Sequence, residues 1–350
     1  HEVDIAITGS FDLRVSLNIF LDKVVTLLKA DAADMLILDK HMLRLEYVTG
    51  RGLLSDEIKT LHVSLSDEML GRAVGERHLI NIPDLSKVKD TFNRARILSD
   101  EGFVSYYAVP LVAKGYVSGV LEIVHRIPFH PDQDWLNFLD VLATQAAVVI
   151  DDAMLFEELR HANIELMTAY DRTIEGWSRA LDLRDKETEG HSRRVTDMTV
   201  KVAGAMGIRN EELAHVRRGA LLHDIGKMGI PDRILLKPAP LTDKEWVIMR
   251  KHPAYAYELL WPIVNLRPAI DIPYCHHEKW DGTGYPRGLR GDQIPLAARI
   301  FAVVDVWDAM IFDRPYRKGW AKEKAIEYTR SNAGIHFDPK VVEVFLGMKW

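Results

Sequence analysis

The sequence predicts a multi-domain chain: an α/β domain with an antiparallel sheet, a long connecting helix, and a domain made of helices alone. Three observations carry this. The 350 residues exceed one comfortable core, so two domains of roughly 150 residues each are expected. Strand-like and helix-like runs alternate up to Ile150, whereas from Trp177 onward the pattern is almost wholly helical, with prolines marking helix ends. Between them, Asp151 to Glu175 contains neither proline nor glycine. The expected boundaries are 1–150, 151–176 and 177–350.

Along the first domain, Leu17, Ile19, Phe20, Val24, Val25, Leu27 and Leu28 form a helix-like apolar stripe. Met35–Leu38 and Leu43–Val48 read as strands around the polar turn Asp39-Lys40-His41, and Tyr106–Val112 and Val117–Val124 as a second pair around Ala113-Lys114-Gly115. Pro131 opens a helix that continues through Ile150. In the connecting segment Leu155, Leu159, Ala162, Leu166, Ala169 and Thr173 alternate spacings of four and three, while Glu157, Glu158, Arg160 and Glu165 lie off that seam. Such a heptad seam is the expected contact of a homodimer, formed through this helix and the first domain; the alternative is a single amphipathic helix packed on its own domain.

Composition narrows the function. With 45 basic and 51 acidic residues the formal charge is −6, which argues against a general nucleic-acid binder. No basic recognition helix is visible either. Cys275 is the single cysteine, which removes a disulfide framework and any Cys-rich zinc site and suits a reducing, cytoplasmic setting. The longest uncharged run, Gly102–Ala113, falls well short of the roughly 20 residues a membrane span needs. No signal-peptide pattern opens the chain, which begins at His1 rather than methionine.

The informative number is 14 histidines. His191, His223, Asp224, His252, His276, His277 and Asp305 stand out as a potential metal set. Each alone reads more readily as a surface or satisfied core residue than as a ligand. The pairs are harder to dismiss: in Leu221-Leu222-His223-Asp224-Ile225-Gly226-Lys227, two polar residues interrupt an apolar stretch where a core would place leucine. Burying such groups unpartnered costs roughly 2–7 kcal/mol, and more for a charge; a metal ion offsets that cost. Histidine and aspartate without thiolate suit iron, manganese or zinc, and more than four ligands exceed one tetrahedral ion. Paired ions about 3.5–4 Å apart with a bridging hydroxide suit in-line attack on a phosphodiester.

Two resemblances follow. Leu70-Gly71-Arg72-Ala73-Val74, Leu79-Ile80-Asn81-Ile82-Pro83-Asp84, Ala108-Val109-Pro110-Leu111 and Gly119-Val120-Leu121-Glu122 resemble a GAF domain. This implies a six-stranded antiparallel sheet and a place for an unidentified small-molecule ligand, although many such domains serve only for dimerisation. Asp185-Lys186-Glu187-Thr188-Glu189-Gly190-His191-Ser192, the His223-Asp224-Ile225-Gly226-Lys227 core, and His276-His277-Glu278-Lys279-Trp280-Asp281-Gly282-Thr283-Gly284-Tyr285-Pro286 resemble the HD-GYP subfamily of HD phosphohydrolases, with Ile294-Pro295, Ala298-Arg299-Ile300, Asp305 and Asp308 following in order. That resemblance implies an all-α HD-type domain that cleaves cyclic di-GMP to pGpG and onward to GMP. It implies His191, His223, Asp224 and Asp305 as the superfamily's metal ligands, His252, His276 and His277 as the subfamily's additional ones, and Asp224 and Lys227 as catalytic. Lys227 would neutralise the substrate phosphate. Within Asp313-Arg314-Pro315-Tyr316-Arg317-Lys318, the implied substrate contacts are Arg314, Arg317 and Lys318; Tyr285 and Tyr316 could stack on a base. Glu187 lies four residues before His191, hence on the same face if the segment is helical, and is expected either as a third-ion ligand or as a surface residue of a charged run. Iron, in two or three copies, is the expected metal, with manganese as the alternative. Competing expectations are a catalytically weak nucleotide-binding adaptor and an HD hydrolase of another nucleotide.

Overall fold

The computed structural model describes residues 11–67, 69–185, 190–313 and 318–350, and the chain divides into two compact units between Ile164 and Glu165. In chain order the first unit contains α1 (Phe11–Leu28), β1 (Ala32–Asp39), β2 (Arg44–Arg51), α2 (Asp56–Thr60), β3 (Val63–Ser64), α3 (Leu70–Glu76), β4 (Ile80–Ile82), α4 (Asn93–Asp100), β5 (Ser105–Ala113), β6 (Tyr116–His125) and the start of α5 (Gln133–Asp185). The sheet is six-stranded and antiparallel, in the order β3-β2-β1-β6-β5-β4. The strands read from the sequence correspond to β1, β2, β5 and β6.

Both faces of the sheet are covered. Along β1, Met35 and Ile37 join the core beneath α1 and α5, whereas Leu36 and Leu38 join the core on the other face. Alternate residues of a strand point to opposite faces, so a strand buried on both sides becomes a continuous apolar run, here Met35-Leu36-Ile37-Leu38.

Three charged side chains lie inside that second core. Arg94, from α4, is fully buried and pairs with both Asp34 of β1 and Glu122 of β6. Its Nη1 also donates to the Ile58 carbonyl at 3.3 Å, and the Tyr106 hydroxyl donates to Glu122. Asp34 and Glu122 face each other across the β1–β6 register, an arrangement in which like charges repel. Burial, and then Glu122, push the Asp34 carboxyl well above its usual pKa. The guanidinium is what makes the pair tolerable.

The helix expected from Pro131 and the seam helix expected from Asp151 are one continuous helix of 53 residues. Its first turns bury Leu139, Leu142, Ala143, Ala146, Ala147 and Ile150 in the sheet unit. Beyond them the seam residues Leu155, Leu159 and Leu166 are 45%, 70% and 64% exposed.

The second unit contains the end of α5, then α6 (His191–Ala205), α7 (Asn210–Leu221), α8 (Asp232–Leu235), α9 (Asp243–Met249), α10 (His252–Leu260), α11 (Asp271–Cys275), α12 (Leu296–Ile311), α13 (Lys322–Ser331) and α14 (Pro339–Gly347). Its main core gathers residues from α6, α7, α12, α13 and α14 around Phe301, Trp307 and Phe345. Among the described residues, no helix is long and apolar enough to cross a membrane.

Replacing Arg94 by methionine keeps the volume but strands two buried carboxylates. The expected loss of stability is about 3–5 kcal/mol, read by urea denaturation of the whole chain. An unchanged transition would mean that the three groups are not coupled.

Candidate metal centre

Five helices, with one 3-10 turn, bring the polar residues together. His191 is the first residue of α6, after Gly190 in the left-handed region. His223 and Asp224 follow α7 and lead into a 3-10 turn, Ile225–Gly229. His252 opens α10, and His276 and His277 follow α11. Asp305 and Asp308 sit three apart on α12, hence on one face.

The donors form two groups: Asp224, His252, His276 and His277, and His191, His223 and Asp305, with ligand atoms inside each group within 4.8 Å of one another. Asp224 links them. Its Oδ2 is 3.0 Å from His223 Nε2, while its Oδ1 is 3.3 Å from His252 Nε2 and 3.8 Å from His276 Nε2. His191 Nε2 is 3.5 Å from Asp305 Oδ1. Of the eight residues read from the sequence as metal ligands, seven therefore converge. Glu187, Arg314, Tyr316 and Arg317 lie outside the described residues.

The far nitrogen of each ring decides what the near one can do. His223 Nδ1 donates to the Ala220 carbonyl at 2.8 Å, His252 Nδ1 to Met249 at 2.9 Å, and His276 Nδ1 to Ile272 at 3.1 Å. A carbonyl only accepts, so each Nδ1 carries the hydrogen and each neutral ring presents a bare Nε2. His252 and His276 then aim two acceptor nitrogens at each other across 3.3 Å. A cation between them removes that conflict, and the donor set fits a divalent ion on this ground.

Electrostatics agrees. Burial holds His276 well below the usual imidazole pKa and lowers His252; burial and the neighbouring His252 push His277 down to about 3. These three rings stay neutral, the form that binds metal. Burial also opposes charge on His223, but Asp224 and Asp305 outweigh it and raise the ring to about 9. Burial works against the Asp224 carboxylate too, yet Lys227 and His223 hold its pKa well below the usual range. Without a metal ion a proton on His223 serves as the counter-charge.

Several contributors were missed in the sequence or had no assigned role. Asp308, buried, accepts from His191 Nδ1 at 2.7 Å and from Arg194 Nε at 2.9 Å. The signal was available: Arg194 is three residues after His191 and Asp308 three after Asp305, so two facing helices each carry a matched pair. Lys227 Nζ lies 2.8 Å from Asp224 Oδ2 and 3.0 Å from Asp185 Oδ2. Glu278 is buried and accepts from the backbone N–H groups of Arg287 and Leu289, at 2.7 and 3.0 Å, which closes the Gly284-Tyr285-Pro286 loop. Tyr285 is half-buried with its ring 4.7 Å from that of His277, and Lys318 is exposed.

The HD domain family model matches residues 176–341 and the GAF domain family model residues 12–150. The chain carries a GAF domain followed by an HD domain. The donor groups fall within the HD domain and the six-stranded sheet within the GAF domain. The cyclic di-GMP phosphodiesterase response regulator RpfG of Xanthomonas campestris is 38% identical over 208 residues, 59% of this chain and 55% of that protein. A cyclic di-GMP phosphodiesterase of Vibrio cholerae is 31% identical over 331 residues, 85% of this chain and 64% of the relative. The 3'3'-cGAMP-specific phosphodiesterase 2 of the same organism is 36% identical over 212 residues, 60% of this chain and 39% of that protein. This chain thus spans less than two thirds of each of these relatives.

The HD domain's turn seats directly on α10: a Cβ built on Gly226 would lie 1.8 Å from the His252 carbonyl oxygen. Gly226→Ala must therefore push His252 away from Asp224. The expected outcome is a loss of about 1–3 kcal/mol together with reduced metal content, read by thermal unfolding and elemental analysis. If both are unchanged, the turn does not pack on α10.

Proposed function

We propose that this chain is a metal-dependent phosphodiesterase that hydrolyses cyclic di-GMP to pGpG and on to GMP, under control of its GAF domain. The observation that carries the reading is one carboxylate, Asp224, whose two oxygens face the two donor groups inside an HD domain. Relatives named as cyclic dinucleotide phosphodiesterases support the substrate class. Divalent ions bound there would stabilise charge on phosphoryl oxygens and lower the pKa of water. The protein's own work is to hold that charge in place: Asp224 faces both groups, and four rings are oriented through their Nδ1 atoms.

In this reading the Lys227 ammonium neutralises the attacked phosphate and assists the leaving oxygen. Arg314, Arg317 and Lys318 take the second phosphate, and Tyr285 stacks on a base. Iron, or manganese in its place, is the proposed metal, with Glu187 as ligand to a third ion. The setting is cytoplasmic. A second substrate has a specific observation behind it: one relative's name specifies 3'3'-cGAMP, another cyclic dinucleotide.

Anaerobic purification, elemental analysis and chromatography of products from each cyclic dinucleotide test this together. Wild type should release pGpG and GMP from cyclic di-GMP. Asp224→Ala should lose most metal and turnover, and Glu187→Ala should lose about one ion per chain. Full metal content and turnover in Asp224→Ala would sink the assignment. Preferred cleavage of 3'3'-cGAMP would move the substrate and keep the chemistry.

The exposed leucines of α5 support a pairing with a second copy, because apolar residues at alternating spacings of four and three form one stripe. Glutamate at both Leu159 and Leu166 should convert dimer to monomer by light scattering. A persistent dimer would place the interface elsewhere.

A further inference from the structure

We propose that Arg184 is a positioning residue for the reaction and that, with Asp185, it makes the last turn of α5 the element that fixes Lys227. The inference rests on the phosphodiesterase reading above.

Lys227 is held at both of its ends by two consecutive residues of one helix. Arg184 Nη1 donates to the Lys227 carbonyl at 3.0 Å, and Nη2 donates to the Ile230 carbonyl and to Asp232 Oδ1, each at 2.9 Å. The next residue, Asp185, accepts from Lys227 Nζ at 3.0 Å. The Arg184 side chain is 27% exposed and that of Asp185 only 3%. A planar guanidinium spanning two carbonyls and a carboxylate has little freedom to re-form the same contacts elsewhere. The partly exposed pair with Asp232 adds little by itself; the two carbonyl contacts set the geometry.

The donors behave differently. His223, His252 and His276 are each oriented by a carbonyl three or four residues earlier in their own segment, and His191 by Asp308 of α12. None of these contacts comes from α5. Elsewhere α5 does meet the donor segments, through Asp182, which accepts from Ser192 Oγ at 2.6 Å, and through Ile174 beside Leu222 and Ile225. The contacts of Arg184 itself all lie between Lys227 and Asp232, so its loss bears on the ammonium while the rings keep the contacts that orient them. Arg184 acts on the rate through Lys227, and a change confined to its contacts would adjust turnover without emptying the centre.

The test is a double-mutant cycle on the metal-loaded full chain, with cyclic di-GMP and with bis(p-nitrophenyl) phosphate as a chromogenic diester. Arg184→Met should lower kcat about 10- to 100-fold, as a misplacement near 1 Å does, with KM and metal content nearly unchanged. Arg184→Lys, which keeps the charge and loses the fork, should restore part of the rate. In a Lys227→Ala background, measured by single turnover, Arg184→Met should cost nothing further. Additive losses, loss of metal, or an unaffected rate would overturn the inference. If wild type cleaves only the chromogenic diester, the cyclic di-GMP reading fails while the cycle is still read. If wild type cleaves neither, both fall.

Discussion

The HD domain is organised around the Asp224 carboxylate. It is buried and negative, and its two oxygens look in different directions, one toward His223 and Lys227, the other toward His252 and His276. An isolated charge there would be costly enough to neutralise itself. Lys227 and the His223 proton keep it ionised instead. Helix starts, helix ends and the 3-10 turn are placed so that each of its neighbours arrives from a different element. The same residue thus fixes the charge balance and the geometry.

The GAF domain handles a buried charge by the opposite route. Arg94 satisfies Asp34 and Glu122 internally, and Tyr106 and the Ile58 carbonyl complete the network. Those partners are fixed members of the fold. Around Asp224 the acceptor nitrogens are turned toward one another and lack hydrogens to share. One buried network is closed on itself, and the other is built to receive a cation.

Much of this was legible in the sequence because it depended on period and on residue type. Apolar runs bounded by polar turns and the seam beyond Asp151 located the elements; two polar residues inside an apolar run pointed to His223 and Asp224, and the resemblance to a known family ordered the other donors around them. The joining of two expected helices into α5 was not legible, since nothing between Ile150 and Asp151 marks either an end or a continuation. Asp185, Arg184 and Glu278 were read as parts of charged or motif strings. Their partners lie 9 to 48 positions away, beyond any spacing rule. Arg94 was missed for a related reason: one of two arginines in a short amphipathic helix looks as solvated as the other until the sheet supplies two acids beneath it.

The orientation of His223, His252 and His276 rests on carbonyls of Ala220, Met249 and Ile272, main-chain atoms that every amino acid possesses. Exchanging those side chains leaves the oxygen where it was, provided the helical turn survives. A mutational scan would report what each side chain packs against, the core for Ala220 and Ile272, and would not report that the position aims a donor ring. The aiming device is written in backbone shape, so it is heritable without being visible as a residue preference.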